Sequence, residues 1–374
     1  MDWQPMKQLM NSLSKSNASA WLNKITQYVN KSEKSLQATQ QSIITHHLQA
    51  LENRFQGAMH FLKKTKIKKN HRRLGLQHLP WYLLIGSSGA GKTTLLANSK
   101  INFILEKQFH QNNIQIVPSE NCDWWITSDI VLVDVPGRYM TSKGKKNSLS
   151  KMLWQHFLEL VKKKRGKQAL SGIVIALSLE ELMTTQNREW LINDLKQSLS
   201  ELRKKFSNDL PIYFTVTKCD LLPGFLDFFN DYSNEELTQA WGITFPPTAT
   251  GSLADTFVTR FNALIKRLNS HVLWRLHRER NPFAKFYIKD FPLQLERLKE
   301  AIVDVVKALT IEVPINLKGV YLTSATQHIV TEQATTHPEL VPAEEFQQSF
   351  QIMHNPYVSM HSYFIKQFIL QGLA

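Results

Sequence analysis

The sequence predicts an α/β fold built on a doubly wound, mostly parallel sheet. Three observations carry this. From Pro80 onward, short apolar runs alternate with helix-length amphipathic stretches. A glycine-rich loop, Gly86–Thr94, separates one apolar run from a helix-forming run. Three further polar motifs each follow directly on an apolar run.

Residues 1–40 are polar, with Leu9, Leu13, Trp21, Leu22, Ile25 and Val29 spaced to suit short amphipathic helices. Ile43–Leu62 reads as a stronger helix, because Ile44, Leu48, Leu51, Phe55, Met59 and Leu62 recur at helical spacing. A basic block, Lys63–Arg73, follows. Trp81–Ile85 is a short strand that runs into the glycine-rich loop and then a helix from about Lys92. Cys122–Thr127, Ser128-Asp129 and Ile130–Asp134 read as strand, turn and strand. Ile173–Leu177 and Ile212–Thr217 are buried strands, Arg188–Phe206 is a helix, and Val320–Thr323 is the last expected strand. Between the last two strands, Phe225–Pro314 is mostly helical in pattern and reads as a helical insertion. The organisation expected is a helical segment over 1–75, a central domain over 76–330 with an insertion at about 225–314, and a helical extension over 331–374.

The chain has 374 residues and is 43% apolar, which suits a folded core. Its two cysteines, Cys122 and Cys219, are far apart, and the simple reading is a reduced, cytosolic chain. Met1–Asn30 is polar and interrupted by charge, so no signal peptide is visible. No apolar run approaches bilayer length, and the chain as it stands is expected to be soluble. The formal charge of +14 favours acidic partners. The excess is blocked at Lys63–Arg73, at Lys143, Lys145 and Lys146, and at Lys162–Lys167. Each block reads first as a solvated face. Nucleic-acid recognition is disfavoured, since no block carries interleaved aromatics.

Gly86-Ser87-Ser88-Gly89-Ala90-Gly91-Lys92-Thr93-Thr94 matches G-x-x-x-x-G-K-[ST]. Its backbone N–H groups would cradle phosphates at a helix N-terminus. Lys92 would reach the β- and γ-phosphates, and Thr93 would hold magnesium. Asp134-Val135-Pro136-Gly137 is a DxxG at a strand end. Asp134 would bind magnesium through a water, and Gly137 would offer its N–H to the γ-phosphate. Thr217-Lys218-Cys219-Asp220 matches [NT]KxD. The Asp220 carboxylate can accept from guanine N1–H and the 2-amino group, donors that adenine lacks. Lys218 would lie along the base, and Thr217 would tie this loop to the phosphate loop. Thr323-Ser324-Ala325 resembles a GTPase SA loop, in which the alanine N–H meets the guanine O6.

These motifs, in this order, predict a P-loop NTPase of the GTPase-like type, with GTP or GDP and magnesium as ligands and ATP as the lesser candidate. A doubly wound sheet gathers all four at the carboxyl ends of its strands. Lys92, Asp134, Gly137 and Arg138 are the catalytic candidates. Arg138 follows the DxxG where many signalling GTPases have Gln, and the switch-like segment offers only Ser119 as a further magnesium ligand. Hydrolysis is therefore expected to be slow or partner-dependent. Two readings of Arg138 stay open, a surface or salt-bridge role and stabilisation of transition-state charge.

The chain from about Leu51 to Ala374 resembles the IcmF/TssM family of secretion-system inner-membrane proteins. The resemblance rests on Pro80-Trp81-Tyr82-Leu83, Leu95–Ser99, Asn121-Cys122-Asp123-Trp124-Trp125, Asp134–Tyr139 and Thr217–Leu221. Trp241-Gly242 with Thr244-Phe245-Pro246, Phe291-Pro292 with Gln294-Leu295, and Gly319–Ser324 add to it. The family phosphate loop has Pro where Ser87 or Ser88 stands, and its DTAG is Asp-Val-Pro-Gly here.

The resemblance implies the cytoplasmic portion of a longer, membrane-anchored protein, or a truncated member, on the cytoplasmic side of a bacterial inner membrane. It implies work in a type VI or type IVB secretion complex with a DotU/TssL-like partner and other cytoplasmic components. It also implies that Lys63–Arg73 can face a membrane surface, and that the insertion and C-terminal helices are candidate docking surfaces. Core packing is the competing reading for Phe364, Phe368, Ile369 and Leu370. Two other functions remain in view, a scaffold with a non-essential nucleotide site and an ATPase energising secretion.

Overall fold

The computed structural model describes residues 41–69, 72–75, 78–104, 122–140, 148–166, 169–207, 209–245, 252–312, 315–330 and 357–373. The expected helices within 1–40, the basic cluster at Lys143–Lys146, Ser119 and most of the 331–374 extension lie outside them. The chain divides into two units, Met1–Asn53 and Arg54–Ala374. Of the first, only the start of helix α1 (41–64) is described.

The second unit is organised by a seven-stranded sheet. After a small hairpin of β1 (Lys66–Lys69) and β2 (Arg72–Gly75) come β3 (Trp81–Ile85), β4 (Asp123–Ile126), β5 (Val131–Asp134), β6 (Gly172–Ser178), β7 (Pro211–Thr217), β8 (Gly242–Thr244) and β9 (Asn316–Leu322). The order across the sheet is β4-β5-β3-β6-β7-β9-β8. The inner pairs are parallel, and the edge strands β4 and β8 run antiparallel to their neighbours. Strands β3 and β6 are buried along their whole length, which is why they read as continuous apolar runs rather than alternating ones.

Helices cover the faces: α2 (Lys92–Ala97), α3 (Ser148–Arg165), α4 (Leu179–Met183) and α5 (Thr185–Lys205). The segment between β7 and β9 holds α6 (Phe225–Phe229), α7 (Asn234–Thr238), α8 (Leu253–Arg278) and α9 (Pro282–Glu312). It is helical as expected, with one correction: Gly242–Thr244 returns to the sheet as edge strand β8. Ser233 and Glu236 form a capping box that starts α7. Helices α8 and α9 pack lengthwise as a hairpin, α8 burying Phe257, Phe261, Leu264 and Leu268 at helical spacing.

Three further expectations are corrected. The basic block is not all helix and loop, since Lys66–Lys69 pairs antiparallel with Arg72–Gly75. Val320–Thr323 does not end the strands, because β10 (Ser324–Val330) pairs antiparallel with β11 (Tyr357–Tyr363). The C-terminal extension therefore contains a strand before its helical turn at Phe368–Gly372. Such strands are set by distant partners more than by local propensity.

Phe364, Phe368 and Ile369 are buried. Phe368, Ile369 and Leu373 pack on Tyr82, Leu95, Leu96 and Tyr321, and the Tyr82 hydroxyl donates to the Leu373 carbonyl. Phe364 joins Phe225, Phe229, Trp241 and Phe291 in a second cluster, with the Phe229 and Phe364 rings 4.9 Å apart. These side chains form core, and the reading of them as an exposed docking surface is set aside.

Candidate functional site

Each candidate motif begins where a strand of the sheet ends. The phosphate loop follows β3, the DxxG follows β5, the TKxD follows β7, and Thr323 follows β9. The first two lie beside each other, since β3 pairs with β5. On its other side β3 pairs with β6, so the phosphate loop sits where the strand order reverses.

Gly89 and Gly91 hold φ of +81° and +74°, a left-handed backbone that lets the loop curl before α2. Inside the curl, the Lys92 ammonium donates to the carbonyls of Gly86 and Ser87, each at 2.9 Å. Burial lowers its pKa, and the Asp134 and Glu181 carboxylates oppose that shift. Thr93 Oγ1 donates to Asp134 Oδ2 at 2.6 Å, and Asp134 is fully buried. A hydroxyl and a buried carboxylate already in contact fit a magnesium ion, whose hard charge takes oxygen ligands. If magnesium were bound, Thr93 would ligate it directly, and Asp134 through a water.

Gly137 stands flush against the phosphate loop. A Cβ there would lie 2.3 Å from the Ser88 nitrogen and 2.5 Å from the Ser87 carbonyl carbon. Gly137→Ala is therefore expected to push the DxxG turn off the loop and destabilise the chain by about 1–3 kcal/mol. Urea unfolding checks this, and a variant as stable as wild type would refute the close packing.

Thr217 Oγ1 donates to the Ala90 carbonyl at 2.7 Å, which ties the TKxD to the phosphate loop. Lys218 adopts φ +59°, an uncommon conformation for a residue with a side chain. Its ammonium pairs with Glu180 at 2.5 Å. The Asp220 carboxylate accepts from the Ser324 hydroxyl, so two expected base-reading residues come together. Their setting needs a correction. Ser324 and Ala325 are the first residues of β10, opposite Tyr363 and Ser362, rather than a free loop. The strand extends directly from β9 because Tyr357–Tyr363 supplies the partner that its backbone groups require.

Ser88 is exposed on the loop, while Thr94 lies half-buried in the first turn of α2. Arg138 is exposed, with its guanidinium 5.8 Å from the Tyr139 ring centre. Two acidic residues escaped the sequence reading. Glu180 holds Lys218, and Glu181 Oε2 accepts from Ser87 Oγ at 2.6 Å. Their signal was available: they follow β6 at its carboxyl end, as each motif follows its own strand. Burial pushes both thiols up, Cys122 and Cys219 alike, which makes neither a nucleophile. Among the described residues no group of three or more His, Cys, Asp or Glu side chains could hold a metal, and no helix is long and apolar enough to cross a membrane.

Strand order, phosphate loop and the aligned motifs define a P-loop NTPase fold of the GTPase-like type. Residues 147–372 match the family model for the IcmF-related N-terminal domain. A 291-residue stretch, 75% of the chain, is 36% identical to the type VI secretion system component TssM1 of Pseudomonas aeruginosa. The chain belongs to the IcmF-related family. It spans 26% of the length of that relative.

Among solved structures, a probable GTP-binding protein engB is 12% identical, covering 61% of this chain and 98% of its own, with a TM-score of 0.25. The Roco2 RocCORdC structure of Methanosarcina barkeri, bound to GDP, is 13% identical over 66% of this chain and 69% of its own, with a TM-score of 0.21. Overlaps this slight say nothing of ligand or activity.

Proposed function

We propose that this chain is the nucleotide-binding module of a secretion-system inner-membrane protein. It takes GTP or GDP with magnesium and hydrolyses slowly or only with a partner. The observation that carries the reading is the 2.7 Å bond from Thr217 Oγ1 to the Ala90 carbonyl. It joins the phosphate-binding and base-reading elements into one site. Gly86–Thr94 would cradle the phosphates and Lys92 neutralise them. Asp220 would exchange the Ser324 hydroxyl for the two guanine donors. Arg138 stands where a water-positioning Gln is absent, which supports slow turnover.

Family membership supports work in assembly or stability of a secretion complex, of type VI by the likeness to TssM1. The partner class proposed is a DotU/TssL-like inner-membrane protein together with cytoplasmic components, at the cytoplasmic face of the inner membrane. A scaffold with an idle site is the second reading. It is favoured by the bonds that Lys92 and Asp220 already make to protein groups.

Fluorescent GTP and ATP analogues, titrated with magnesium, test the proposal. Wild type is expected to favour GTP. Asp220→Ala is expected to weaken GTP by about tenfold or more and leave ATP unchanged. Equal affinity for both nucleotides in the wild type would sink the guanine reading.

A further inference from the structure

The end of the α8–α9 hairpin carries large apolar side chains out in solvent. Leu273 is 70% exposed and Trp274 46% on the last turns of α8. Phe283, Phe286 and Tyr287, at 53%, 61% and 40%, stand on the first turns of α9. At 1.5 Å per residue, all five lie within about 10 Å of the connecting turn along the helix axes. Phe283, Phe286, Tyr287 and Leu293 share one exposed helical stripe by their spacing.

The charge around these residues is mainly basic, with Asp231 paired to Arg278 and Asp290 following Lys289 in the sequence. Arg278, Arg280, Lys285 and Lys289 are exposed, and the sole acidic residue from 266 to 289 is Glu279. Glu279 is spent on the turn, where its carboxylate accepts from the Arg280 and Asn281 N–H groups, each at 2.8 Å. Arg278 lies over the Trp274 ring at 4.9 Å and also reaches Asp231 at 3.2 Å.

We propose that this hairpin end seats on an anionic phospholipid bilayer, with its aromatic cap in the interface. Trp and Tyr rings favour the headgroup level, and Lys and Arg beside them meet anionic lipid. Interfacial helices bury their apolar face by about 5–10 Å, which matches the depth of this cap. The cap is the end of a hairpin rather than a groove, so it suits a surface that can yield around it. Membrane contact at the hairpin end does not require nucleotide.

Sedimentation of the whole chain with vesicles tests it. One set is phosphatidylcholine alone, and the other contains about a third phosphatidylglycerol. Binding is expected to the anionic set only and to weaken with salt, since surface charge is screened. Trp274→Ala with Phe286→Ala, and separately Lys285→Glu with Lys289→Glu, should each reduce binding by at least about tenfold. Lys63→Glu with Lys64→Glu and Lys66→Glu, in the basic block after α1, should retain it. Brominated lipid should quench the chain's fluorescence less in Trp274→Phe than in wild type, a readout that needs no loss of binding.

Several outcomes overturn the proposal. They are wild type that ignores both vesicle sets, in which case the patch faces a protein, equal binding to the two sets, or hairpin variants that bind as wild type does. Loss of binding confined to the Lys63–Lys66 variant also overturns it. Thermal melting confirms that each variant is folded.

Discussion

Lys92→Ala is expected to weaken guanine-nucleotide binding by about a hundredfold or more. The ammonium is buried and bonded to two carbonyls of the loop that would receive the phosphates. Removing one partner of a desolvated charged contact costs about 2–5 kcal/mol, and each 1.4 kcal/mol is tenfold in affinity. Lys92 makes its hydrogen bonds to Gly86 and Ser87, within its own loop. The variant should therefore keep basal docking to a membrane-complex partner while losing any dependence of that docking on nucleotide. Such coupling is reciprocal, so GTP and partner must each strengthen the other by the same factor. Titration by fluorescence and by calorimetry checks both halves. Unchanged nucleotide affinity in Lys92→Ala would place the phosphates elsewhere and return the chain to the scaffold reading.

The second large effect is on stability. Arg275→Met should destabilise the second unit by about 3–5 kcal/mol, toward the lower end because solvent still reaches Asp231. Arg275 is fully buried, although it lies one residue from exposed Trp274. Its Nε donates to the Phe228 carbonyl and its Nη2 to the Asp227 carbonyl, each at 2.7 Å, while Nη1 pairs with Asp231. One guanidinium thus staples α8 to the segment that follows the TKxD. Methionine fills the volume but leaves the two carbonyls without their donor and Asp231 with Arg278 alone. Urea unfolding would read the change. A loss under about 1 kcal/mol would mean that water replaces the guanidinium without difficulty.

The aromatic cluster lies against the same staple. Phe225, Phe228 and Phe229 of α6 meet Phe291 of α9, and Phe225 and Phe229 also meet Phe364 of the C-terminal segment. Gly224, which starts α6, closely approaches the Tyr287 backbone of α9. A change at Asp220, only a few residues earlier, has a packed route to both helices of the hairpin.

The local signals were strong where an apolar run met a glycine or a charged motif. Trp81–Ile85 and Gly86–Thr94 could be read directly, because a buried parallel strand is continuously apolar and a phosphate loop must be rich in glycine. The motifs at Asp134 and Thr217 are legible for the same reason, each closing a run of largely apolar and β-branched residues. From these alone came the α/β class, the strand–helix alternation and the residues that would hold a nucleotide.

What the tertiary structure decided lies in pairings between distant segments. Gly242–Thr244 is three residues long and becomes a strand only because β9 has an open edge. Ser324–Val330 is too mixed in pattern to read as a strand, and Tyr357–Tyr363 supplies the partner for its backbone hydrogen bonds. Glu181 became a site residue because β6 ends beside the phosphate loop and Ser87 reaches it. Arg275 reads as one more base in a basic stretch, and only the carbonyls of Asp227 and Phe228 converging on it make it core. A run of residue types specifies its own backbone preference and its buried face. Which charge is neutralised, which edge is paired and which aromatic stays in water depend on what the rest of the chain brings within a few ångströms.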